Sequence, residues 1–115
     1  MQDLKSRTKK FALDIIKFVL SLPKNPVCNT LGNQLLRAGT SVGANYRAAS
    51  RAKSKADFNY KIKVVEEESD ESIYWLELII ESGLADSNSS VVLLKEADEL
   101  TAIFSSISIK NKIDR

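Results

Sequence analysis

The segment RAGTSVGANYRAASRAKSKADFNYK, residues 37–61, contains the clearest indications of the fold. It reads as an amphipathic helix with Gly39, Gly43 and Asn45 in its interior, although each glycine costs about 1 kcal/mol relative to alanine there. Ser54 is followed three residues later by Asp57, a spacing typical of a capping box at the start of a new helix. The pattern therefore predicts one helix that ends near residue 53 and another that begins at residue 55.

Apolar residues recur at helical spacing on both sides of this turn. Phe11, Ile15 and Phe18 step by 4 and 3 before Pro23 ends the first helix. The pair Asn25-Pro26 is typical of an N-cap followed by the first helical position, and Gly83 is a natural stop for the third helix. The residues ADSNSS at 85–90 read as a loop. The predicted helices cover residues 4–22, 26–53, 55–82 and 90–112.

Short connections between helices of similar length imply antiparallel neighbours. The sequence therefore predicts an all-α protein, with residues 1–115 forming one antiparallel up-down-up-down four-helix bundle. A local rival is GTSVGANY at 39–46, which alternates enough to suggest a strand or a phosphate-binding loop. It lacks the Lys-Ser/Thr pair of a P-loop and the third glycine of a dinucleotide fingerprint, so the helical interpretation is preferred.

Composition excludes several functional classes for this chain of 115 residues. It has no histidine, which removes histidine-based catalytic triads, zinc sites that use histidine and the Glu-x-x-His di-iron motif. Its single cysteine, Cys28, forms no internal disulfide. The apolar runs are far shorter than the ~20 residues that a membrane span needs, and no signal peptide opens the chain. We expect a cytoplasmic protein that does not contact a membrane.

An acidic group on the predicted third helix is the only hint of a metal site. Glu66, Glu67, Asp70 and Glu71 would hold a divalent cation weakly, although such a group is more often a solvated acidic face. No nucleophile, base and orienting group occur together in the pattern. We therefore expect no catalytic residue, no metal and no cofactor, and a protein that is not an enzyme.

The glycines of the second helix form a stripe of small residues. Gly32, Gly39 and Gly43 are spaced 7 and 4 apart, which places them on one side of the helix. Such a stripe admits a neighbouring backbone, either within the bundle or from another subunit. Asn45 falls at a seam position, where a polar side chain commonly fixes the register between helices.

If the second and third helices are antiparallel and joined near residue 54, Arg37 lies level with Glu71. We therefore expect an ion pair between Arg37 and either Glu71 or Glu68. Tyr74 and Trp75 are adjacent and cannot both point into the same seam. We therefore expect Trp75 at a boundary between helices or between subunits.

In an up-down bundle, both chain termini and the turn between the second and third helices lie at one end, which we call the basic end. The cations there outnumber the carboxylates by 13 to 3, a balance of +10. The cations are Lys5, Arg7, Lys9, Lys10, Arg47, Arg51, Lys53, Lys55, Lys61, Lys63, Lys110, Lys112 and Arg115, and the carboxylates are Asp3, Asp57 and Asp114. The rest of the chain carries −8, so a net charge of +2 conceals a strongly polarised molecule.

Two tyrosines of the basic end each stand beside a cation, in the dipeptides YR and YK. Rings among cations suit single-stranded RNA or DNA, because the cations meet phosphates and the rings stack on bases. The candidate nucleic-acid-binding residues are Tyr46, Arg47, Arg51, Lys53, Lys55, Tyr60, Lys61 and Lys63. Two other interpretations stay open: a solvated end without a ligand, and a docking surface for an acidic protein.

Two segments, residues 37–61 and EESDESIYWLELI at 67–79, resemble the bacterial four helix bundle protein family. This family was first noticed as reading frames in intervening sequences of 23S ribosomal RNA genes. The resemblance spans nearly the whole chain and implies the bundle reached above. The chain departs from the usual wording KEAxETxYWL at three positions, with Glu67 for Lys, Ser69 for Ala and Ser72 for Thr. These changes strengthen the acidic band.

The resemblance also bears on partners. Relatives of the family include the accessory variability determinants of diversity-generating retroelements, which form pentameric barrels and bind a reverse transcriptase and nucleic acid. The resemblance therefore implies a homo-oligomer such as a pentamer, with RNA or DNA and a protein such as a reverse transcriptase as partners. It supplies no catalytic residues.

Overall fold

The computed structural model describes residues 3–113, except for the side chains of residues 87 and 111–113. Four helices make up this part of the chain: α1 (Leu4–Ser21), α2 (Pro26–Ala49), α3 (Lys55–Glu81) and α4 (Ser87–Ile113). The expected all-α fold is confirmed. Lys112, Asp114 and Arg115, which we assigned to the basic end, lie outside the described side chains.

Local hydrogen bonds explain where the helices begin. The Asn25 side chain accepts a hydrogen bond from the Cys28 backbone N–H at 2.9 Å, and Pro26 takes the first helical position. The Ser54 hydroxyl accepts one from the Asp57 backbone N–H at 3.0 Å. Both starts are those predicted. At the other end of α3, Gly83 has a φ of 71°, the left-handed conformation that glycine adopts without strain.

Two helix boundaries differ from the sequence prediction by more than one residue. Helix α2 ends at Ala49 rather than near residue 53, because the backbone N–H groups of Arg51 and Ala52 bond to carbonyls three residues back and tighten the chain into a turn. Helix α4 begins at residue 87 rather than 90. There the buried Ser90 hydroxyl donates to the Asp86 carbonyl at 2.7 Å, so residues that read as a loop are accommodated in a helix.

Each helix packs extensively against its neighbours in the chain, and α4 closes the bundle with a much smaller contact on α1. Helices α1 and α3 therefore lie on a diagonal of the bundle, and within the described residues their Cα atoms do not come within 8 Å of each other. The core contains Phe11, Leu35, Leu76 and Phe104, each at most 1% exposed. Where α1 and α4 separate, an open cleft of about 410 Å³ remains.

The glycine stripe of α2 faces α1. A Cβ atom on Gly39 would lie 2.9 Å from Ile15 Cγ1, and one on Gly43 would lie 3.3 Å from the Thr8 carbonyl oxygen. These distances are too short for an alanine without movement of α1. Of the two roles considered for the stripe, the structure shows close packing between α1 and α2 inside one bundle.

Candidate nucleic-acid interface

The turn between α2 and α3 gathers cations in a short segment of chain. Arg47 lies in the last turn of α2, where a positive charge is favoured by the helix dipole. Arg51 and Lys53 follow in the connection, and Lys55 begins α3. All four side chains are exposed. We call these four residues, together with the nearby Tyr60, the turn cluster.

Asp57 organises the start of α3 beneath the turn cluster. Its carboxylate accepts hydrogen bonds from Lys61 Nζ at 2.5 Å and from the Lys53 backbone N–H at 3.2 Å. The hydrogen bond from Lys61, followed by that from the Lys53 backbone, lowers the pKa of Asp57. Asp57 thus holds the connection through the Lys53 backbone N–H, and the same carboxylate engages the Lys61 ammonium group.

Two of the predicted nucleic-acid-binding lysines are therefore engaged within α3. Lys61 pairs with Asp57 one turn earlier, and Lys63 Nζ lies 3.5 Å from Glu66 Oε1. By contrast, Arg47 and Arg51 form no ion pair in the described part of the chain. The guanidinium groups of these two arginines are exposed to solvent.

The two tyrosines of the basic end differ in exposure. Tyr60 is 69% exposed, so its ring is accessible to a ligand. The Tyr46 ring is partly buried and packs at 5.6 Å, centroid to centroid, on the core residue Phe104. Of the two predicted stacking residues, Tyr60 is therefore the more accessible, because α4 packs against the ring of Tyr46.

Arg7 does not contribute an unpaired charge to the basic end. Its guanidinium donates to both oxygens of Glu96, from Nε at 2.8 Å and from Nη2 at 2.7 Å. Nη2 also lies 2.9 Å from Glu99. The hydrogen bond to Glu96 raises the pKa of Arg7. The balance of +10 therefore overstates the unpaired charge of the basic end, because Arg7 meets two glutamates of the other region where α1 lies against α4.

A second ion-pair network joins α2 to α3. Arg37 Nη1 lies 3.3 Å from Glu68 Oε2, and Nη2 pairs with Glu71. The same Glu71 carboxylate accepts a hydrogen bond from Trp75 Nε1 at 3.1 Å. The structure therefore places Arg37 against both carboxylates named from the sequence. Trp75 is partly buried against the core and carries the exposed Tyr74 at its edge.

Asn45 has a more local role than expected. Its Nδ2 donates to the Ser41 carbonyl at 2.8 Å, in its own helix. The polar contact between neighbouring helices is made elsewhere, where Thr101 Oγ1 of α4 lies 3.0 Å from Ser69 Oγ of α3. The departure from Ala at position 69 thus gives the α3–α4 seam a hydroxyl pair.

Other candidate sites are limited. No group of three or more His, Cys, Asp or Glu residues is arranged to hold a metal ion among the described residues. Within the same part of the chain, no helix is long and apolar enough to span a membrane. Cys28 is 2% exposed and packs in the core.

Sequence reasoning missed one surface. Leu13, Ile16 and Leu20 are exposed on α1, on the side opposite its core residues. The signal was present in the sequence, because these residues repeat at helical spacing as a second apolar stripe of the first helix.

Comparison with known proteins identifies similar chains over the same region. A family model described as 23S rRNA-intervening sequence protein matches residues 2–106, which confirms the resemblance drawn from the sequence. A crystal structure of a protein of unknown function, from the S23 ribosomal protein family of Bacteroides thetaiotaomicron VPI-5482, is similar at 34% identity with a TM-score of 0.81. That similarity covers 90% of this chain and 96% of that chain. No curated protein matches. The turn cluster lies within the residues matched by the family model.

Proposed function

The chain belongs to the family of 23S rRNA-intervening sequence proteins, and we propose that it is a non-enzymatic protein that contacts single-stranded RNA or DNA through the turn cluster. The observation that carries the proposal is that Arg47 and Arg51, which are exposed and have no ion-pair partner in the described part of the chain, lie in the same short segment as the exposed ring of Tyr60. The proposal keeps the cytoplasmic location expected from the sequence.

The chemistry of the turn cluster supports this ligand. Among the described residues, no carboxylate pairs with Arg47 or Arg51, so a phosphate backbone would displace water and counterions from these two charges. Tyr60 supplies a flat apolar face for a base, and stacking on such a face tolerates any base. Single-stranded nucleic acid presents phosphates and unstacked bases together, and therefore fits this combination better than a duplex does.

The hydrogen bonds of Asp57 support nucleic-acid binding, because they fix the conformation of the connection between α2 and α3. Asp57 holds the Lys53 backbone and engages Lys61, so the only carboxylate at the start of α3 faces inward to the turn rather than towards a ligand. The conformation of the turn is therefore set before binding, which reduces the entropy lost on association.

The test compares a turn-cluster variant with a charge-matched control. We would measure anisotropy of a fluorescent single-stranded RNA oligonucleotide with the wild type, with R47Q/R51Q and with K24Q/K95Q. Lys24 and Lys95 are also exposed, and the two variants lose the same charge. We expect R47Q/R51Q to weaken binding and to reduce the slope of log affinity against log salt by about 1.4, because each phosphate contact on a single strand contributes about 0.7.

The control decides between a site and a general charge effect. Equal losses in R47Q/R51Q and K24Q/K95Q would mean that net charge alone attracts the RNA, which would overturn the proposal. Absence of binding at low salt would also overturn it. Retention of a co-purifying protein after nuclease treatment, with loss of that protein in R47Q/R51Q, would favour the acidic-partner interpretation instead.

A further inference from the structure

We propose that the cleft between α1 and α4 binds a small aromatic carboxylate, with the ring of the ligand on the apolar floor and its carboxylate between Lys17 and Ser89. Such a ligand would be held by the first and the last helix of the chain together. The proposal goes beyond the nucleic-acid function and is independent of it, because none of the residues that line the cleft belongs to the turn cluster.

The cleft is a place where the core of the bundle is open to solvent. It measures about 410 Å³, within the range of about 300–1,000 Å³ that is typical of small-molecule sites. Its floor contains Phe18 and Leu93, which are 5% and 6% exposed, whereas the core residues Ile15 and Leu100 of the same two helices are fully buried. The packing of α1 on α4 is therefore incomplete at this level of the bundle.

The walls of the cleft near its floor are apolar. Phe18 lines the cleft from α1, and Val92 and Leu93 line it from α4. Val92 is 68% exposed, so its side chain stands at the mouth of the cleft rather than in the core. An aromatic ring suits this space, because it can lie against the aliphatic groups of α4 and contact the Phe18 ring in an edge-to-face or offset geometry. Its burial also removes apolar surface of the protein and of the ligand from water.

Two hydrogen-bond donors, one on each wall of the cleft, are available to an anion. Lys17 of α1 is exposed and forms no ion pair in the described part of the chain. Ser89 of α4 is also exposed, and its hydroxyl makes no hydrogen bond within the same residues. A carboxylate accepts hydrogen bonds from an ammonium group and from a hydroxyl at the same time, so it suits this pair of donors.

The other polar side chains that line the cleft are already engaged. The Asp14 carboxylate accepts a hydrogen bond from Lys10 Nζ at 2.7 Å, and the Ser21 hydroxyl donates to the Phe18 carbonyl at 2.6 Å. Because Lys10 balances the charge of Asp14, the ammonium group of Lys17 leaves the mouth of the cleft with a net positive charge. The cleft therefore favours an anionic ligand over a cationic one.

The position of the cleft links ligand binding to the stability of the bundle. Arg7 ties α1 to Glu96 and Glu99 of α4, about two helical turns before Asp14, where the cleft begins. The contact between these two helices is the smallest between neighbours in the bundle. A ligand that touches both walls binds the folded bundle and not the unfolded chain. We therefore expect the melting temperature to rise with the concentration of the ligand.

The test follows the binding of indole-3-acetate to the full chain through NMR chemical-shift changes of the backbone amides. We expect saturable changes at Phe18, Ser89 and Leu93, with a dissociation constant of about 1 mM or lower for a ligand of this size. K17Q should weaken binding about tenfold, because it removes the positive charge that meets the carboxylate. K9Q is the control, since Lys9 is exposed on the same helix but does not line the cleft. S89F should fill the cleft and abolish binding, with unchanged helical content by circular dichroism.

Matched ligands decide which chemistry the cleft recognises. The neutral indole-3-acetamide and the cationic tryptamine should bind more weakly than indole-3-acetate. Equal or tighter binding of either compound, equal losses in K17Q and K9Q, or retained binding in S89F would each overturn the proposal. The absence of saturable binding, or chemical-shift changes that map elsewhere on the bundle, would also overturn it. Hexanoate that binds as tightly as indole-3-acetate would overturn the assignment of an aromatic ligand.

These outcomes are separate from those of the RNA test. The variant R47Q/R51Q leaves the cleft intact and should bind indole-3-acetate as the wild type does. Loss of RNA binding with intact binding of indole-3-acetate, or the reverse, therefore tells which of the two proposals has failed.

Discussion

Arg7 of α1 and Glu96 of α4 are 89 residues apart in sequence and form a two-point ion pair, with Arg7 Nε and Nη2 at 2.8 and 2.7 Å from the two carboxylate oxygens. The side chains are 19% and 30% exposed, and the pair lies at the contact between α1 and α4, the smallest in the bundle. It therefore ties the first helix to the last where little apolar packing does so.

Removal of this pair should destabilise the bundle. We expect Arg7→Gln to lower the free energy of unfolding by about 1–2 kcal/mol, between the values for exposed and buried pairs. Urea denaturation measures it, and a cycle with Glu96→Gln isolates the coupling. Lys10→Gln is the control, because the Lys10 side chain is 74% exposed and its pair with Asp14 should contribute less. Equal effects of the two substitutions would contradict a special role for Arg7.

Gly39→Ala should destabilise the protein although alanine favours helix. The added Cβ would lie 2.9 Å from Ile15 Cγ1, so α1 must move or Ile15 must change its rotamer. We expect a net loss of about 1–3 kcal/mol in urea denaturation, typical of overpacking. The same substitution in an Ile15→Ala background should cost less, since alanine lacks the Cγ1 and Cγ2 atoms that the added Cβ would meet. A gain in stability from Gly39→Ala would mean that α1 and α2 are less closely packed.

Stability below neutral pH should depend on Asp57. The folded state lowers the pKa of this carboxyl through Lys61 and the Lys53 backbone, relative to an ordinary value of 3.8. Its stabilising contribution is therefore complete above the ordinary value and is lost as the pH falls through the lower, folded one. We expect the difference in melting temperature between the wild type and Asp57→Asn to be constant above about pH 5 and to shrink below about pH 4. If the difference in melting temperature between the two proteins stayed the same down to low pH, the stabilising role assigned to the Asp57 carboxylate would be contradicted.

Arg37 should contribute little to stability despite its two carboxylate partners. Its side chain is 49% exposed, so solvent screens the interaction. We expect Arg37→Ala to lower the free energy of unfolding by no more than about 1 kcal/mol at low salt, and by less at high salt. Urea denaturation at low and at high salt measures the two free energies of unfolding. Trp75 fluorescence is a suitable signal, because Trp75 Nε1 donates to the same Glu71 carboxylate that pairs with Arg37. A salt-independent loss would indicate packing of the Arg37 stem rather than its charge.

The two tyrosines of the basic end should separate binding from folding. We expect Tyr60→Ser to weaken RNA binding by about 5- to 100-fold, the range for one stacked base, and to leave stability nearly unchanged because the ring is 69% exposed. Tyr46→Ser should instead lower the free energy of unfolding by about 2–4 kcal/mol, because it removes the contact with Phe104. Anisotropy and urea denaturation give the two readings for each variant, and the reverse pattern would contradict the assigned roles.

Much of the fold follows from short segments of sequence. The starts of α2 and α3 depend on side chains that bond within three residues of themselves, Asn25 and Ser54, so local chemistry suffices to predict them. The end of α2 was placed four residues late, because the residues after Ala49 are compatible with helix and only the reversal of the chain stops it. Local helix propensity contains no information about this reversal of the chain.

The positive charge of the candidate site could be predicted from the sequence, but which of its side chains are accessible to a ligand was harder to predict. The exposure of the two tyrosines depends on which other helices pack nearby, whereas the ion pairs of the two lysines follow from helical spacing within α3. Tyr46 is covered by α4, a helix far away in sequence. Lys61 is engaged by Asp57 because the helical turn places them four residues apart on one side.

The four helices, their periodic apolar residues and the concentration of cations around residues 47–55 follow from short-range sequence patterns, because each depends on neighbours within about two helical turns. Three features follow instead from how the helices pack: α1 fills the glycine stripe, Arg7 pairs with carboxylates of α4, and α1 keeps a second apolar face in solvent. These features depend on which surfaces meet when the helices pack, and distance along the chain does not specify that.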